Sequence, residues 1–412
     1  MFEQVKEALD WLYAQKKLKK REDLSRIKYC LELLNIQKSY KIIHIAGTNG
    51  KGSTACFLKN MLIKLGYKVG FFVSPYVLCF NERIQINHDF ITDERILFYC
   101  NQLYKLATNY YTEYQDTIPF FELTYLMALL YFQEMQIDYA VIECGIGGRL
   151  DATNALDSDI AVITNIGYDH MAQLGNHLEE IALHKLGITR TNRPCFTAVD
   201  SSLKELFLQY AAKNSVDMHF IVDEVKNIEA KETLSFTFKK VQYETSMEAY
   251  YQAYNASLAI AVILYLFPNY PTNLLKDVVF TTSWPGRFEF VRENVILDGA
   301  HNIDGILALV KSIQLRFPFK KVKVVFTALH DKEIKTMLHT LDLIADRYCF
   351  TTIEDKRATE VSYFEQFTKK PYQLVSNYKD AINSSFKDLK DNEILLITGS
   401  LHFISLARVL FK

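Results

Sequence analysis

The chain has 412 residues, 49% of them hydrophobic and 23% charged, an ordinary globular composition with room for roughly two to three domains. With 47 Lys and Arg against 48 Asp and Glu the net charge is -1, so there is no global basic field to hold a nucleic-acid backbone. Seven cysteines (30, 56, 79, 100, 144, 195 and 349) with no CxxC predict reduced thiols in a cytoplasm and argue against a disulfide framework.

The N-terminal stretch MFEQVKEALDWLYAQ carries charges where a secretory signal needs an apolar core. Val5, Ala8, Leu9 and Leu12 fall at helical spacing and predict an amphipathic helix. The basic run KKLKKRE at 16–22 reads as a solvated helix face. A strand predicted at 42–46 then breaks into GTNGKGST (47–54) and a helical segment. The usual phosphate-loop pattern G-x-x-x-x-G-K-[ST] needs Gly at 45 and Ser or Thr at 52, and the chain has Ile45 and Gly52. Gly47, Gly50 and Gly52 still permit sharp turns and close approach. Successive N–H groups and the following helix N-terminus suit a phosphate. Lys51 adds a point charge, and Ser53 or Thr54 a hydroxyl near a metal. The plain alternative is a glycine-rich connector.

Strands at 69–73, 139–143 and 160–164, with helices at 92–110 and 122–136, predict a mainly parallel sheet covered on both faces. In YAVIECGIGGRLDATN (139–154) the strand runs into Glu143 and a glycine-rich loop holding Arg149 and Asp151. Strand carboxyl ends form the site in such sheets, which sets Glu143 beside the phosphate loop, where a carboxylate can hold Mg²⁺. Taken alone it reads as a solvated strand-end acid. AVITNIGYDHMAQLG (161–175) sets Asp169 and His170 after another strand. His170 is a metal-ligand candidate that in isolation reads as structural, and Lys185 in EEIALHKLGI reads by composition as a surface lysine. Period-2 stretches in 219–246 predict a small antiparallel patch. SLAIAVILYLF (257–267) is about half the length of a membrane span.

Pro285–Gly286 in TSWPGRFEFV (282–291) marks a hinge. Strands at 295–298, 322–327, 347–353, 372–375 and 393–398, joined by short helices, follow it. The expected organisation is two domains, 1–284 and 285–412, with a cleft between them. VILDGAHN (295–302) supplies Asp298, His301 and Asn302, and EILLITGSLHF (393–403) supplies Ser400. Either motif can simply cap a helix, but both lie at strand ends.

Taken in order, HIAGTNGKGST, SPYVLCFNERIQIN (74–87), PFFELT (119–124), ECGIGGRLDATN, ITNIGYDH, HKLGI, WPGRFE, LDGAHN and ITGSLHF resemble the folylpolyglutamate synthase family, including its bifunctional dihydrofolate synthase form, within the Mur ligase superfamily. The resemblance implies an α/β fold: an N-terminal P-loop ATPase-like domain with a mainly parallel sheet, and a smaller C-terminal Rossmann-like domain. It implies ATP-dependent addition of L-glutamate to a folate or to dihydropteroate through an acyl phosphate. By that resemblance Gly47, Thr48, Asn49, Gly50, Lys51, Gly52, Ser53 and Thr54 bind the ATP phosphates. Ser74, Glu143 and His170 match Mg²⁺ positions. Lys185 matches a lysine that the family carbamylates, a change that turns a cation into a ligand for a second Mg²⁺. Asn255, Arg287 and Asp298 match ATP contacts, while Pro119, Phe120, Phe121, Glu122, Leu150, Asp151 and Ala152 match the pterin side. His301 and Ser400 match positions near the incoming glutamate, and with Lys51 and Lys185 they form the expected catalytic set. Potassium is a further expected ion. The other expectations are small-molecule partners, no nucleic acid, no membrane, and a cytoplasmic monomer.

Four positions depart from the family pattern: His184 for Glu, Ile303 for Pro, Thr327 for Gly, and Tyr76 for a common His. Three competing functions stay open. A cell-wall Mur ligase needs a UDP-sugar pocket ahead of Gly47, where little chain stands. A non-catalytic folate-binding paralogue is expected to lose Lys51, Glu143 or His170. A nucleotide-driven switch leaves the later motifs unexplained.

Overall fold

A computed structural model describes residues 1–16 and 23–411. All but Lys16 of the basic run at 16–22 therefore lies outside the described residues. The chain divides into two compact units: Met1–Val222 with Leu258–Val278, and Asp223–Ser257 with Val279–Lys412. This division differs from the single cut expected at 284/285. Segment 223–257 clusters with the later residues although it precedes the hinge in sequence.

The first unit is built on β1 (Lys41–Ala46), β2 (Val69–Phe72), β3 (Ile84–Ile86), β4 (Asp89–Phe90), β5 (Tyr139–Glu143), β6 (Ile160–Ile163), β7 (Pro194–Thr197) and β8 (Asp217–Phe220). They form one sheet in the order β4-β3-β2-β5-β1-β6-β7-β8. From β2 to β8 every neighbouring pair is parallel, and β3 and β4 add an antiparallel edge. The strands β1, β2, β5 and β6 are almost wholly buried, so they read as continuous apolar runs rather than alternating ones. Helix Lys51–Lys64 packs against β2 and β5 and is buried on most of its surface. The expected N-terminal helix is Val5–Ala14, with Ala8 and Leu12 buried. Helices Asp93–Tyr114 and Phe120–Met135 occupy the two predicted helical stretches.

In the second unit β9 (Val225–Ala230), β10 (Leu234–Phe238) and β11 (Val241–Thr245) form the expected antiparallel patch. Its predicted start at 219 is too early, because β8 pairs in parallel with β7. A second sheet has the order β12-β13-β17-β14-β15-β16. Its strands are β12 (Glu289–Arg292), β13 (Val295–Asp298), β14 (Lys321–Phe326), β15 (Ala345–Thr352), β16 (Tyr372–Asn377) and β17 (Glu393–Thr398). All its pairings are parallel except β12 with β13. The helices here are not uniformly short, since Ile303–Arg316 runs for 14 residues.

The apolar stretch at 257–267 belongs to helix Gln252–Leu266, and Leu258 to Ile263 are all buried. Among the described residues no helix is long and apolar enough to cross a membrane. All seven cysteines are free.

Candidate active site

The order of β2, β5, β1 and β6 in the first sheet brings four strand ends together. The phosphate loop leaves β1, Ser74 follows β2, Glu143 ends β5, and Thr164–Gly167 follow β6. Gly47 and Gly50 have φ of 152° and 82°, a region open to glycine and strained for other residues. A Cβ on Gly47 would lie 1.8 Å from Thr164 Oγ1, so the loop is packed tightly against the end of β6. Asn165 Oδ1 accepts from the N–H of Thr48 (3.2 Å) and of Asn49 (2.9 Å). Thr48 Oγ1 donates to Gly167 O at 3.1 Å, and Thr164 Oγ1 donates to Asn49 O. These bonds fix one side of the loop. On the other side Gly50 caps helix Lys51–Lys64, whose first N–H groups have no partner inside the helix.

Lys51 Nζ donates to the loop's own carbonyls, Gly47 O at 3.0 Å and Thr48 O at 3.2 Å. Lys185 is 3% exposed on helix Leu178–Leu186. Burial, and then the charge of Lys51, pull its ammonium down from the ordinary 10.5 to about 7, while Cys144 and Asp169 act in the opposite direction. The surface position that composition suggested is therefore wrong. The cause is local: the glycine-rich loop after β5 lies on this helix so closely that a Cβ on Gly148 would meet His184 O at 2.7 Å. Arg149 N donates to the same carbonyl at 2.7 Å. His184, the residue that departs from the family pattern, has its own pKa lowered by burial and by Arg149 and Lys185.

Glu143 is buried and its Oε2 accepts from Ser74 N at 3.1 Å, so two of the expected metal positions touch. His170 is more open, with a side chain 39% exposed, and its Nε2 lies 3.9 Å from Asp169 Oδ2. Among the described residues no three His, Cys, Asp or Glu side chains converge as a ready metal cluster. Mg²⁺ takes one or two protein carboxylates and completes its shell with phosphate oxygens and water, a demand that the Glu143 carboxylate beside Ser74 can meet. The buried hydroxyl of Thr54 has no hydrogen-bond partner, and the loop's glycines and the N–H groups of the following helix are donors suited to a phosphate. The residues present fit a Mg-nucleotide.

On the expected pterin side, Asp151 is buried, which raises its pKa. Its Oδ2 accepts from Ile146 N (2.9 Å) and its Oδ1 from Thr153 N (3.0 Å) and from Thr153 Oγ1. Since Thr153 Oγ1 donates to Asp151, it accepts from His44 Nε2 at 2.8 Å. Burial pushes His44 down to about 3, so the ring is neutral. Ala152 is buried and Leu150 half-buried on the same loop. Phe121 packs 5.8 Å from Phe72, ring centre to ring centre, and Pro119 caps helix Phe120–Met135. Glu122 is less available than expected: both its oxygens are held by buried Arg26, at 2.7 Å from Nε and 2.5 Å from Nη2.

In the second unit Asp298 ends β13 at 2% exposure. It accepts from Tyr251 OH (2.7 Å), Phe288 N (2.8 Å) and Ala300 N (2.8 Å). Burial raises its pKa, against Tyr251 and Arg287. Gly299 is pinned beside Arg287, because a Cβ there would lie 2.9 Å from Nη1. His301 Nδ1 faces Gly299 O at 2.8 Å. A carbonyl can only accept, so the proton sits on Nδ1. Ser400 caps helix Leu401–Val409 without a side-chain cap bond. Asn255 Nδ2 donates to Gln252 Oε1 at 2.9 Å. Thus Arg287, Asp298 and His301 share one strand end, while Asn255 joins them through the turn that carries Tyr251. Sequence reasoning passed over Asn165, Thr153, His44 and Tyr251. Of these, His44, Thr153 and Asn165 lay in motifs already singled out, and Tyr251 did not.

These features define an ATP-dependent ligase. The Mur ligase middle domain model matches residues 45–263, and the Mur ligase glutamate-ligase domain model matches 286–401. A dihydrofolate synthase/folylpolyglutamate synthase of Bacillus subtilis is 35% identical over 424 residues, covering 98% of both chains. Among solved structures, a Mycobacterium tuberculosis folylpolyglutamate synthase complexed with ADP is 27% identical with a TM-score of 0.89, covering 99% of this chain and 98% of that one. A bifunctional folylpolyglutamate synthase/dihydrofolate synthase with Mn, AMPPNP and L-glutamate bound is 26% identical with a TM-score of 0.85 over the same shares. The chain belongs to the folylpolyglutamate synthase/dihydrofolate synthase family of Mur ligases.

Proposed function

We propose that this protein uses Mg-ATP to join L-glutamate to the carboxylate of a folate, and also to that of dihydropteroate, through an acyl phosphate. A carboxylate is a poor electrophile at neutral pH. Transfer of the γ-phosphoryl group to one of its oxygens releases ADP and makes a mixed anhydride. The glutamate amine then attacks the acyl carbon, the C–O bond to phosphate breaks, and the amine proton leaves with solvent or base. Both steps gather negative charge on oxygens, and fixed cations aimed at that charge lower the barrier by several kcal/mol. Lys51 and the loop N–H groups serve the phosphates, and Arg287 is assigned to phosphate and Asp298 to the nucleoside. His301 Nε2 and Ser400 are assigned to the incoming glutamate. Ser74, Glu143 and His170 would hold Mg²⁺, which supplies Lewis-acid neutralisation of the phosphoryl oxygens.

The observation that carries this reading is Lys185. A buried lysine near pH 7 is substantially a free amine, and a free amine adds to CO₂. The N–C bond forms, one proton is lost, and the cation becomes a carbamate anion able to hold a second metal. Beside Lys51, that reversal replaces repulsion with attraction. The protein acts as a cytoplasmic monomer on small molecules; the free thiols support the reducing compartment. Potassium counts as a cofactor if turnover falls when it is replaced by choline.

The test is purified protein with Mg-ATP, glutamate, and either dihydropteroate or a tetrahydrofolate, following ADP and product mass. The expected result is ADP release that needs both the pterin and glutamate, with one glutamate added per ADP. ATP turnover indifferent to both would contradict the reading.

A further inference from the structure

Among the described residues of the first unit, Arg26 and Arg83 are buried, and their surroundings differ. Arg26 is met by Glu122, Asp116 and the carbonyl of Thr117. Arg83, 8% exposed, ends the short helix Phe80–Arg83 just before β3. Its Nε has no hydrogen-bond partner. Its contacts are aromatic: the guanidinium carbon lies 5.0 Å from the centre of the Tyr76 ring and 5.3 Å from that of Phe120. The acid on its own element is engaged elsewhere, because Glu82 accepts from Val77 N (2.8 Å), Leu78 N (2.9 Å) and Cys79 N (3.2 Å). The ionisable groups whose charge reaches Arg83 are Tyr76, Tyr13, Glu143 and Glu82. Arg83 therefore stands within electrostatic reach of Glu143, at the strand end beside the phosphate loop.

A guanidinium held away from water with no anion to meet it is unfavourable, and ring faces compensate only in part. Such a group is retained where a ligand brings the missing charge. The rings narrow the choice of ligand. A planar fork over two aromatic faces suits a carboxylate carried on a flat aromatic acid, which it can meet with two parallel N–H bonds. Tyr13 completes the frame from helix Val5–Ala14. Its ring stacks on Phe120 at 5.6 Å and 16°, and its hydroxyl lies 3.0 Å from that of Tyr76. Tyr76 is the residue of this frame that departs from the family pattern, where His is common.

We propose that Arg83 receives the carboxylate of the pterin-bearing acid, over the Tyr76 and Phe120 rings, and sets it facing the Glu143 strand end where it is phosphorylated. This rests on the folate reading above. It adds a binding residue from the FNERIQIN segment, which had no assigned role, and it makes Arg83 the group that tells an acid from its neutral analogue.

The test uses the full-length protein and its Arg83→Gln and Arg83→Lys variants. Binding of dihydropteroate is compared with binding of its carboxamide, and KM is measured for each of the three substrates. The wild type is expected to favour the acid by about tenfold or more, the discrimination typical of a site built on paired hydrogen bonds. Arg83→Gln should bind acid and amide alike, with Arg83→Lys between them. KM for the acid should rise about tenfold in Arg83→Gln, with those for ATP and glutamate within about twofold. A merely structural arginine would lower the melting temperature and leave the acid-to-amide ratio unchanged, and that result overturns the assignment. If Arg83→Gln does not fold, the ratio in Arg83→Lys decides by the same criterion. A rise in KM for ATP instead would make Arg83 a phosphate ligand and also overturn it. A wild type that binds neither compound overturns this inference and the dihydropteroate part of the reading, and one that in addition shows no tetrahydrofolate-dependent ADP release overturns the folate reading as a whole. A wild type that binds the acid, beside a variant that keeps the preference, overturns this inference alone.

Discussion

The carboxyl edges of the two parallel sheets handle charge differently. At the edge of the eight-stranded sheet Lys51 rests on two loop carbonyls, and Lys185 is buried within reach of that charge, its own ammonium lowered to about 7. At the edge of the six-stranded sheet the central ion is Asp298, met by a tyrosine hydroxyl and two backbone N–H groups. At the first edge Lys51 is met by carbonyl oxygens rather than by a carboxylate, an arrangement that leaves its charge for a ligand's anion. The second holds a carboxylate whose partners are already in place, the arrangement of a pre-set recognition point. Substitutions at the first edge should therefore reach the chemical step, and those at the second mainly affinity.

The largest effect is expected from Lys51→Ala, which removes the cation aimed at the phosphates. Turnover should fall about a thousandfold, the scale seen when a fixed electrostatic contact to the reacting group is lost. The melting temperature should stay within a few degrees, and retained turnover would end the phosphate role. Lys185→Met comes next, with turnover down about a hundredfold or more but stability increased in CO₂-free buffer. The folded pKa of Lys185, about 7, lies below its ordinary 10.5. Between those values the unfolded chain binds more protons, so stability of the unmodified protein rises with pH across that window and is lower by a few kcal/mol beneath it. Lys185→Met should flatten this slope in urea melts. An unchanged slope would place the lysine in water.

Gly47→Ala follows. The added methyl carbon would meet Thr164 Oγ1 at 1.8 Å, so the loop must shift. KM for ATP should rise about tenfold and the melting temperature fall by several degrees; unchanged values would show that the loop can relax. Asp298→Asn at the second edge should raise KM for ATP a few-fold and leave kcat nearly unchanged. A fall in kcat as large as that of Lys51→Ala would erase the distinction between the edges. The smallest effect is expected at Thr153, which links His44 to Asp151. Thr153→Val should raise the KM for the pterin substrate by about twofold to fivefold, and Thr153→Ser, which keeps the hydroxyl, should restore it. Equal behaviour of the two variants would exclude the hydroxyl as the cause.

Much of this site was legible because its residues stand next to the strands that place them. Glu143, Asp298 and the loop 47–54 each end a strand whose apolar run is visible in sequence, and the order of motifs pointed to the family. Lys185 was legible only through that resemblance, since its burial comes from the loop 145–149 folding over its helix, a tertiary fact with no local signature. The Arg26–Glu122 pair spans 96 residues, so the match of Glu122 to the pterin side carried no sign of the arginine that holds it. The glutamate-ligase domain match begins at 286, beside the expected cut, whereas the compact units are discontinuous. Segment 223–257 clusters with 279–412, and a cut chosen from Pro285–Gly286 has no means of showing a discontinuous unit. Strands β3 and β4 have three and two residues, too short for a periodicity to emerge.

The central claim is that Lys185 is a neutral amine at working pH and is held as a carbamate beside Lys51. Its most direct test is protein equilibrated with isotopically labelled bicarbonate and observed by carbon NMR, with Lys185→Met as the control. The account predicts one carbamate resonance in the wild type that grows as pH rises through about 7, matches the onset of ligase activity, and is missing from the variant. Full activity in rigorously CO₂-free wild type, or the same resonance in Lys185→Met, would contradict it.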